Sequence, residues 1–201
     1  IEDIATMRAM HNMKVIVPCD AIEAKKATIA ASKMWGPVYL RFVREKTPII
    51  TDDKAPFIPG KAEIFWDSSA SKKRKKNKPQ VCIAACGPLM ANALDAAEDL
   101  EKEGIGSIVL NVHTVKPLDE KKILEIAKKC GAFVSVEDHN VIGGLGSAIA
   151  ELLAKNKPVP MEFIGIQDEF SESGDPWKLI EKYGLTAKDI IKAVKKVIKK
   201  K

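Results

Sequence analysis

One stretch, Val134 to Asn156, restricts the fold of this chain more than any other: VSVEDHNVIGGLGSAIAELLAKN. The apolar run Ala132-Phe133-Val134-Ser135-Val136 is bounded by Glu137-Asp138-His139. A turn with three glycines, Asn140 to Gly146, follows, and then Ala148, Ile149, Leu152 and Leu153 recur at helical spacing. The order is strand, loop, helix, with the polar residues at the carboxyl end of the strand. Open α/β sheets place ligands and interfaces at that end, so directed polar chemistry is expected in this loop. Gly143-Gly144-Leu145-Gly146 lacks the G-x-G-x-x-G spacing of a dinucleotide site.

The same alternation runs through the second half of the chain. Val81 to Ala85 reads as a strand, Leu89 to Glu103 as a helix, Ile108 to Val112 as a strand, and Pro117-Leu118-Asp119 opens a further helix. Met161 to Ile166 is a strand, and the chain closes with helices over Asp175–Lys182 and Thr186–Lys199, separated by Gly184. Strands alternating with helices predict a largely parallel sheet covered on both faces, a three-layer α-β-α domain over residues 80–201. Ahead of it, residues 1–44 read as a helix ended by Asn12, a strand Val15-Ile16-Val17, a helix to about Met34 and a strand Val38–Val43. Asp20 with Glu23 makes a capping-box-like start for the second helix. This β-α-β unit is too small to be a domain, so its missing half is expected upstream and the unit itself is expected to be incompletely folded. Residues 45–79 lose periodicity, and their prolines and polar Lys-rich stretch mark a linker with one short strand at Ile64-Phe65-Trp66.

Composition narrows the function class. The chain has 201 residues, 46% hydrophobic and 30% charged, with a net charge of +6. That charge is local: Lys72, Lys73, Arg74, Lys75, Lys76 and Lys78 supply six positive charges, which leaves the remainder neutral. A solvated loop is the plain reading of the run, a localisation signal or polyanion contact the alternative, and no nucleic-acid partner is expected for the whole. The cations of Lys195–Lys201 fall in the last turns of a helix and complement its dipole. No apolar run approaches the roughly 20 residues that span a bilayer. Without a secretory start or an initiator Met, the chain reads as a cytoplasmic piece of a longer protein. Cys19, Cys82, Cys86 and Cys130 lack zinc-site spacing and read as buried, reduced thiols.

The bare residues offer modest chemistry. Successive strand side chains alternate faces, so Glu137, Asp138 and His139 cannot all converge on one substrate. His139 can act as acid, base or pH-sensitive hydrogen bonder; alternatively the trio satisfies loop backbone and a subunit or inter-domain contact. Gly143, Gly144 and Gly146 permit a tight loop and close helix approach. Arg41 and Arg44, three apart, face opposite ways, and Arg44 at the strand end suits either a phosphate or a neighbouring carboxylate. His11 and His113 read as loop or packing histidines, and Trp35, Trp66 and Trp177 as packing anchors.

Glu137-Asp138-His139 followed by Gly143-Gly144-Leu145-Gly146, and Glu172-Ser173-Gly174 followed by Glu181-Lys182-Tyr183-Gly184-Leu185, resemble the C-terminal domain of transketolase and its thiamine-diphosphate relatives. Ile1-Glu2-Asp3-Ile4-Ala5 with Arg8, Asn12-Met13, and Pro18 with Asp20 resemble the later half of the transketolase pyrimidine-binding domain, with His11 and Cys19 replacing a usual proline and alanine. The resemblance covers nearly the whole chain apart from the charged insertion. It implies transfer of a two-carbon ketol unit between sugar phosphates by means of thiamine diphosphate and Mg²⁺. It assigns Arg44 to the substrate phosphate and places the activating glutamate, the aromatic ring pocket and the Mg²⁺ ligands upstream of Ile1. No catalytic, cofactor-binding or metal-binding residue is then expected in this fragment, and no cofactor bound to it alone. It also implies a homodimeric enzyme of the pentose phosphate pathway that needs the missing domains, on the same chain or another. Deoxyxylulose-phosphate synthase shares the domain order and the EDH…GG-x-G loop. A 2-oxoacid dehydrogenase β subunit matches less well. A non-catalytic dimerisation or regulatory module is the reading from a different class.

Overall fold

The strand alternation along Val81–Cys86 sets the layers of the molecule. The computed structural model describes residues 1–70 and 77–201, so the Lys72–Lys78 run lies, apart from Asn77 and Lys78, outside the described residues. Val81, Ile83 and Ala85 pack into one core, and Cys82, Ala84 and Cys86 into another on the opposite face. All but Cys86, the next residue, belong to β4 (Pro79–Ala85), whose parallel neighbours are β5 (Gly106–Asn111) and β7 (Phe133–Asn140). Beyond β7 lies parallel β8 (Met161–Ile166), and beyond β5 lies antiparallel β3 (Glu63–Asp67), which completes the order β3-β5-β4-β7-β8.

Helices cover both faces, as expected for buried parallel strands. On one side α3 (Met90–Lys102) and α7 (Ala187–Ile198) pack through Ala93, Ala97, Leu100, Ile190, Val194 and Val197. On the other, α4 (Glu120–Cys130) and α5 (Leu145–Asn156) pack through Ile123, Ala127, Ile149 and Leu153. Local chemistry fixes their ends. Asp119 caps α4 by accepting from the Lys122 amide, and Gly131 ends it at φ +71°, a conformation cheap for glycine. Thr186 and Asp189 form a reciprocal capping box on α7. A short helix, α6 (Pro176–Lys182), precedes α7.

The first fifty residues overturn the expectation of an incompletely folded half-unit. Here α1 (Asp3–Ala9), β1 (Lys14–Ile16), α2 (Ala21–Ala31) and β2 (Val38–Leu40) form, with the helix and the last strand shorter than their apolar patterns suggested. β1 pairs parallel with β2 and antiparallel with β6 (Thr114–Lys116), which comes from the connection between β5 and α4. A segment of the later chain thus satisfies the backbone groups that an edge would otherwise leave open. Ile4, Val15 and Val17 are fully buried in the same core as Leu110 and Leu145, so this unit shares apolar burial with the larger sheet.

Two tryptophans differ from their reading as packing anchors. Trp35 is 95% exposed in the turn between α2 and β2, and Trp177 is 56% exposed on α6, which buries no residue. Among the described residues no helix is long and apolar enough to cross a membrane.

Candidate functional site

Glu137, Asp138 and His139 point in alternating directions at the end of β7, and each secures a different element. Glu137 is fully buried and turns toward the start of α5, where its Oε2 accepts from the Leu145 amide (2.6 Å) and its Oε1 from the Gly146 amide (2.8 Å). These are orphan donors of a helix N-terminus, which favour a carboxylate. Burial nonetheless pushes its pKa up to about 8, against the pull of those two amides. The fit leaves no room for a side chain at the glycines: a Cβ on Gly144 would lie 2.0 Å from Glu137 Oε2, and one on Gly146 2.4 Å from Ser135 Oγ. Gly143 adopts φ +79°.

His139 faces α1. Its Nε2 accepts from the Ile4 amide (3.1 Å), so the ring carries its proton on Nδ1, 2.6 Å from the Asn140 carbonyl. Burial lowers its pKa and keeps it neutral. Beside it, Arg8 donates to the Gly143 carbonyl (2.5 Å) and pairs with Glu151 (3.0 Å), so the glycine loop is buttressed from the N-terminal unit.

Asp138 faces the third direction, toward β2. Both its carboxylate oxygens accept from Arg41 Nη1 at 2.8 Å, its carbonyl accepts from Nη2 at 3.0 Å, and Arg41 Nε donates to Asp3 (2.9 Å). Tyr39 adds a hydrogen bond to the same Asp3 oxygen (3.0 Å). Burial opposes the Arg41 charge, but the carboxylates of Asp138 and Asp3 hold it protonated.

Arg44 lies apart from this cluster. Its side chain is 93% exposed and touches Glu45 (3.4 Å). It lines a cavity of about 510 Å³ with Cys19, Asp20, Phe42, Val43, Lys46 and Ile49. Asp20 in its wall caps α2 through the Glu23 amide (2.8 Å) and accepts from the Ile50 amide (2.8 Å) and the Thr51 amide (2.7 Å). The expected reciprocal bond from Glu23 is absent. Its buried carboxylate accepts from the Cys19 amide (2.7 Å) and from Asn111 Nδ2 (2.7 Å) instead, because Asn111 presents an unpaired donor at the end of β5. A lone amide side chain inside an apolar strand is a signal that could have pointed to this partner.

The histidines without a motif divide. His113 is fully buried against Phe57 (ring centroids 4.3 Å), with its pKa lowered to about 4 by burial, whereas His11 is exposed. All four cysteines are free and buried. Among the described residues no three His, Cys, Asp or Glu side chains converge as a metal site.

Comparison with known proteins identifies the class. The family model described as transketolase, C-terminal domain, matches residues 70–190, and that described as transketolase, pyrimidine binding domain, matches residues 1–49. This chain belongs to the transketolase family. It is 42% identical over 201 residues to the 6-deoxy-6-sulfo-D-fructose transketolase subunit SqwH of Clostridium sp. (strain MSTE9), covering all of this chain and 59% of that protein. It is 36% identical over 190 residues to 1-deoxy-D-xylulose-5-phosphate synthase of Caldanaerobacter subterraneus subsp. tengcongensis (strain DSM 15242 / JCM 11007 / NBRC 100824 / MB4), covering 94% of this chain and 29% of that one. A solved structure described as a split gene transketolase, inactive beta4 tetramer, superposes with a TM-score of 0.90 at 41% identity, over 99% of this chain and 62% of the other.

Proposed function

We propose that this chain is the substrate-anion and C-terminal part of a transketolase-type enzyme that moves a two-carbon ketol unit between sugars bearing a terminal anion. The observation that carries the reading is the Arg44 cavity. A guanidinium and Lys46 stand over apolar walls at the carboxyl ends of β1 and β2, in the region that matches the pyrimidine-binding family model. An exposed guanidinium presents a planar fork to a phosphate or sulfonate. Both anions come into question, because one relative is a sulfo-fructose transketolase subunit. Thiamine diphosphate with Mg²⁺ supplies the nucleophilic carbanion in the assembled enzyme. In this reading the metal ligands lie in a partner segment, on the same polypeptide or on a separate subunit, which completes the cofactor site. We place the assembly in the cytoplasm, which agrees with four unpaired buried thiols. Self-association into at least a dimer is proposed by analogy with the tetrameric relative.

Arg44→Ala in the assembled enzyme tests this. KM for D-fructose 6-phosphate and for 6-deoxy-6-sulfo-D-fructose should rise about tenfold or more, while kcat/KM for D-fructose stays within about twofold. A lost charge-assisted hydrogen bond is worth roughly 1.5–3 kcal/mol. Equal losses on all three donors would make Arg44 structural. Release of a deoxyxylulose product in place of ketol transfer would favour the synthase reading.

A further inference from the structure

The segment 42–49 that carries Arg44 and Lys46 has no regular structure, yet it is tied at both ends. At its far end, the Ile50 and Thr51 amides and the Thr51 hydroxyl (2.7 Å) all donate to Asp20. At its near end stands Arg41, whose amide donates to the Ile16 carbonyl (2.9 Å) and whose side chain is only 13% exposed. Its guanidinium is spent on Asp138, Asp3 and the Asp138 carbonyl. With one cation between two carboxylates, Arg41 adds little net positive field at the cavity and is not itself free to take a ligand. Arg41 is instead the point at which β2 stops and the anion segment departs. The anchor, Asp138, belongs to β7 in the other part of the chain.

We propose that Arg41, held by Asp138, is a positioning residue that sets where Arg44 meets the substrate anion; the proposal rests on the reading of Arg44 above. It gives the middle residue of Glu137-Asp138-His139 a role distinct from its neighbours, which secure α5 and α1. The planar fork is required. Two oxygens of one carboxylate, its carbonyl and a second carboxylate are met at fixed angles, which a lysine ammonium, a compact charge on a flexible stem, cannot reproduce. Arg41→Lys therefore keeps the charge and loses the placement.

The test is a double-mutant cycle in the assembled enzyme, with D-fructose 6-phosphate and D-fructose as donors. Arg41→Lys should raise KM for D-fructose 6-phosphate about fivefold or more, with kcat/KM for D-fructose within about twofold. In an Arg44→Ala background the same substitution should change neither donor's kinetics, because the group it positions is gone. A purely structural role would lower both donors' rates and persist in that background, and this outcome overturns the proposal. Unchanged D-fructose 6-phosphate kinetics in Arg41→Lys overturns it as well. Should Arg41→Lys fail to fold, Asp138→Asn, which keeps the volume and loses the two-oxygen grip, is read by the same criteria. If Arg44→Ala alone is unselective between donors, the parent reading fails first and visibly, and this one falls with it.

Discussion

At the scale of single residues, burial decides what each titratable group can do. His113 is fully buried, with a ring partner in Phe57, the Thr114 hydroxyl 2.9 Å from its Nδ1 and a pKa lowered to about 4 by desolvation. Its unfolded counterpart titrates near 6.5. Between these values the unfolded state binds the extra proton, so the stability tied to neutral His113 is full above about pH 6.5 and is lost as pH falls toward 4. His139, also lowered by burial, adds to the loss in the same direction, because protonating Nε2 removes the acceptor for the Ile4 amide. His113→Phe keeps the stack and removes one titration. Urea unfolding at pH 7 and pH 5 should show the variant losing about 1–2 kcal/mol less than the parent over that interval. An identical loss in both would mean that His113 is not the titrating group. The same physics makes the Cys86 thiol inert, since burial beside Glu137 and Asp138 raises its pKa well above the ordinary value.

At the scale of elements, the turn from β7 into α5 is built by removing side chains. Glu137 reaches the α5 amides only because Gly144 has no Cβ. Gly144→Ala should cost about 3 kcal/mol or more, since the new methyl displaces the buried Glu137 carboxyl group and leaves two helix amides unpaired. Gly104 is the control: it sits at φ +81°, and a Cβ there would meet nothing within 4 Å. At that position alanine brings backbone strain alone, about 1 kcal/mol. Thermal midpoints of the two variants compare crowding with strain directly, and equal shifts would contradict the crowding account. The glycine pattern was legible in the sequence as a tight loop with close helix approach. The carboxylate that fills the space was legible only as a strand-end acid, because nothing in spacing tells which way a strand's last side chain turns.

At the scale of the whole molecule, the N-terminal unit and the larger sheet share a core. Ile4 and Val15 are buried with Leu110 and Leu145, β6 pairs with β1, and the Asn140 amide donates to the Ile1 carbonyl (3.1 Å). The chain should therefore unfold in one transition. Ile4→Ala should lower its stability by about 2–4 kcal/mol without splitting that transition. Native-state amide exchange gives the finer check: the Val15 and Val17 amides should open with nearly the free energy of Ile83 and Val134. An early, separate melting of residues 1–49 would show the unit to be independent.

The amino-acid sequence by itself determined the alternation of strands and helices, the parallel three-layer domain and the family to which its motifs belong. Those features rest on periodicity and on short patterns such as Glu137-Asp138-His139 with its glycines, which are local properties of the chain. Only the tertiary structure decided that residues 1–44 fold against the rest, that Asp138 and Asp3 enclose Arg41, and that Glu23 serves Asn111 and the Cys19 turn. Each of those pairings joins residues far apart in sequence: Arg41 and Asp138 are separated by 97 positions, Glu23 and Asn111 by 88. A charge or amide that must be buried takes whichever partner the packing brings within about 3 Å, and no pattern in the chain records that choice.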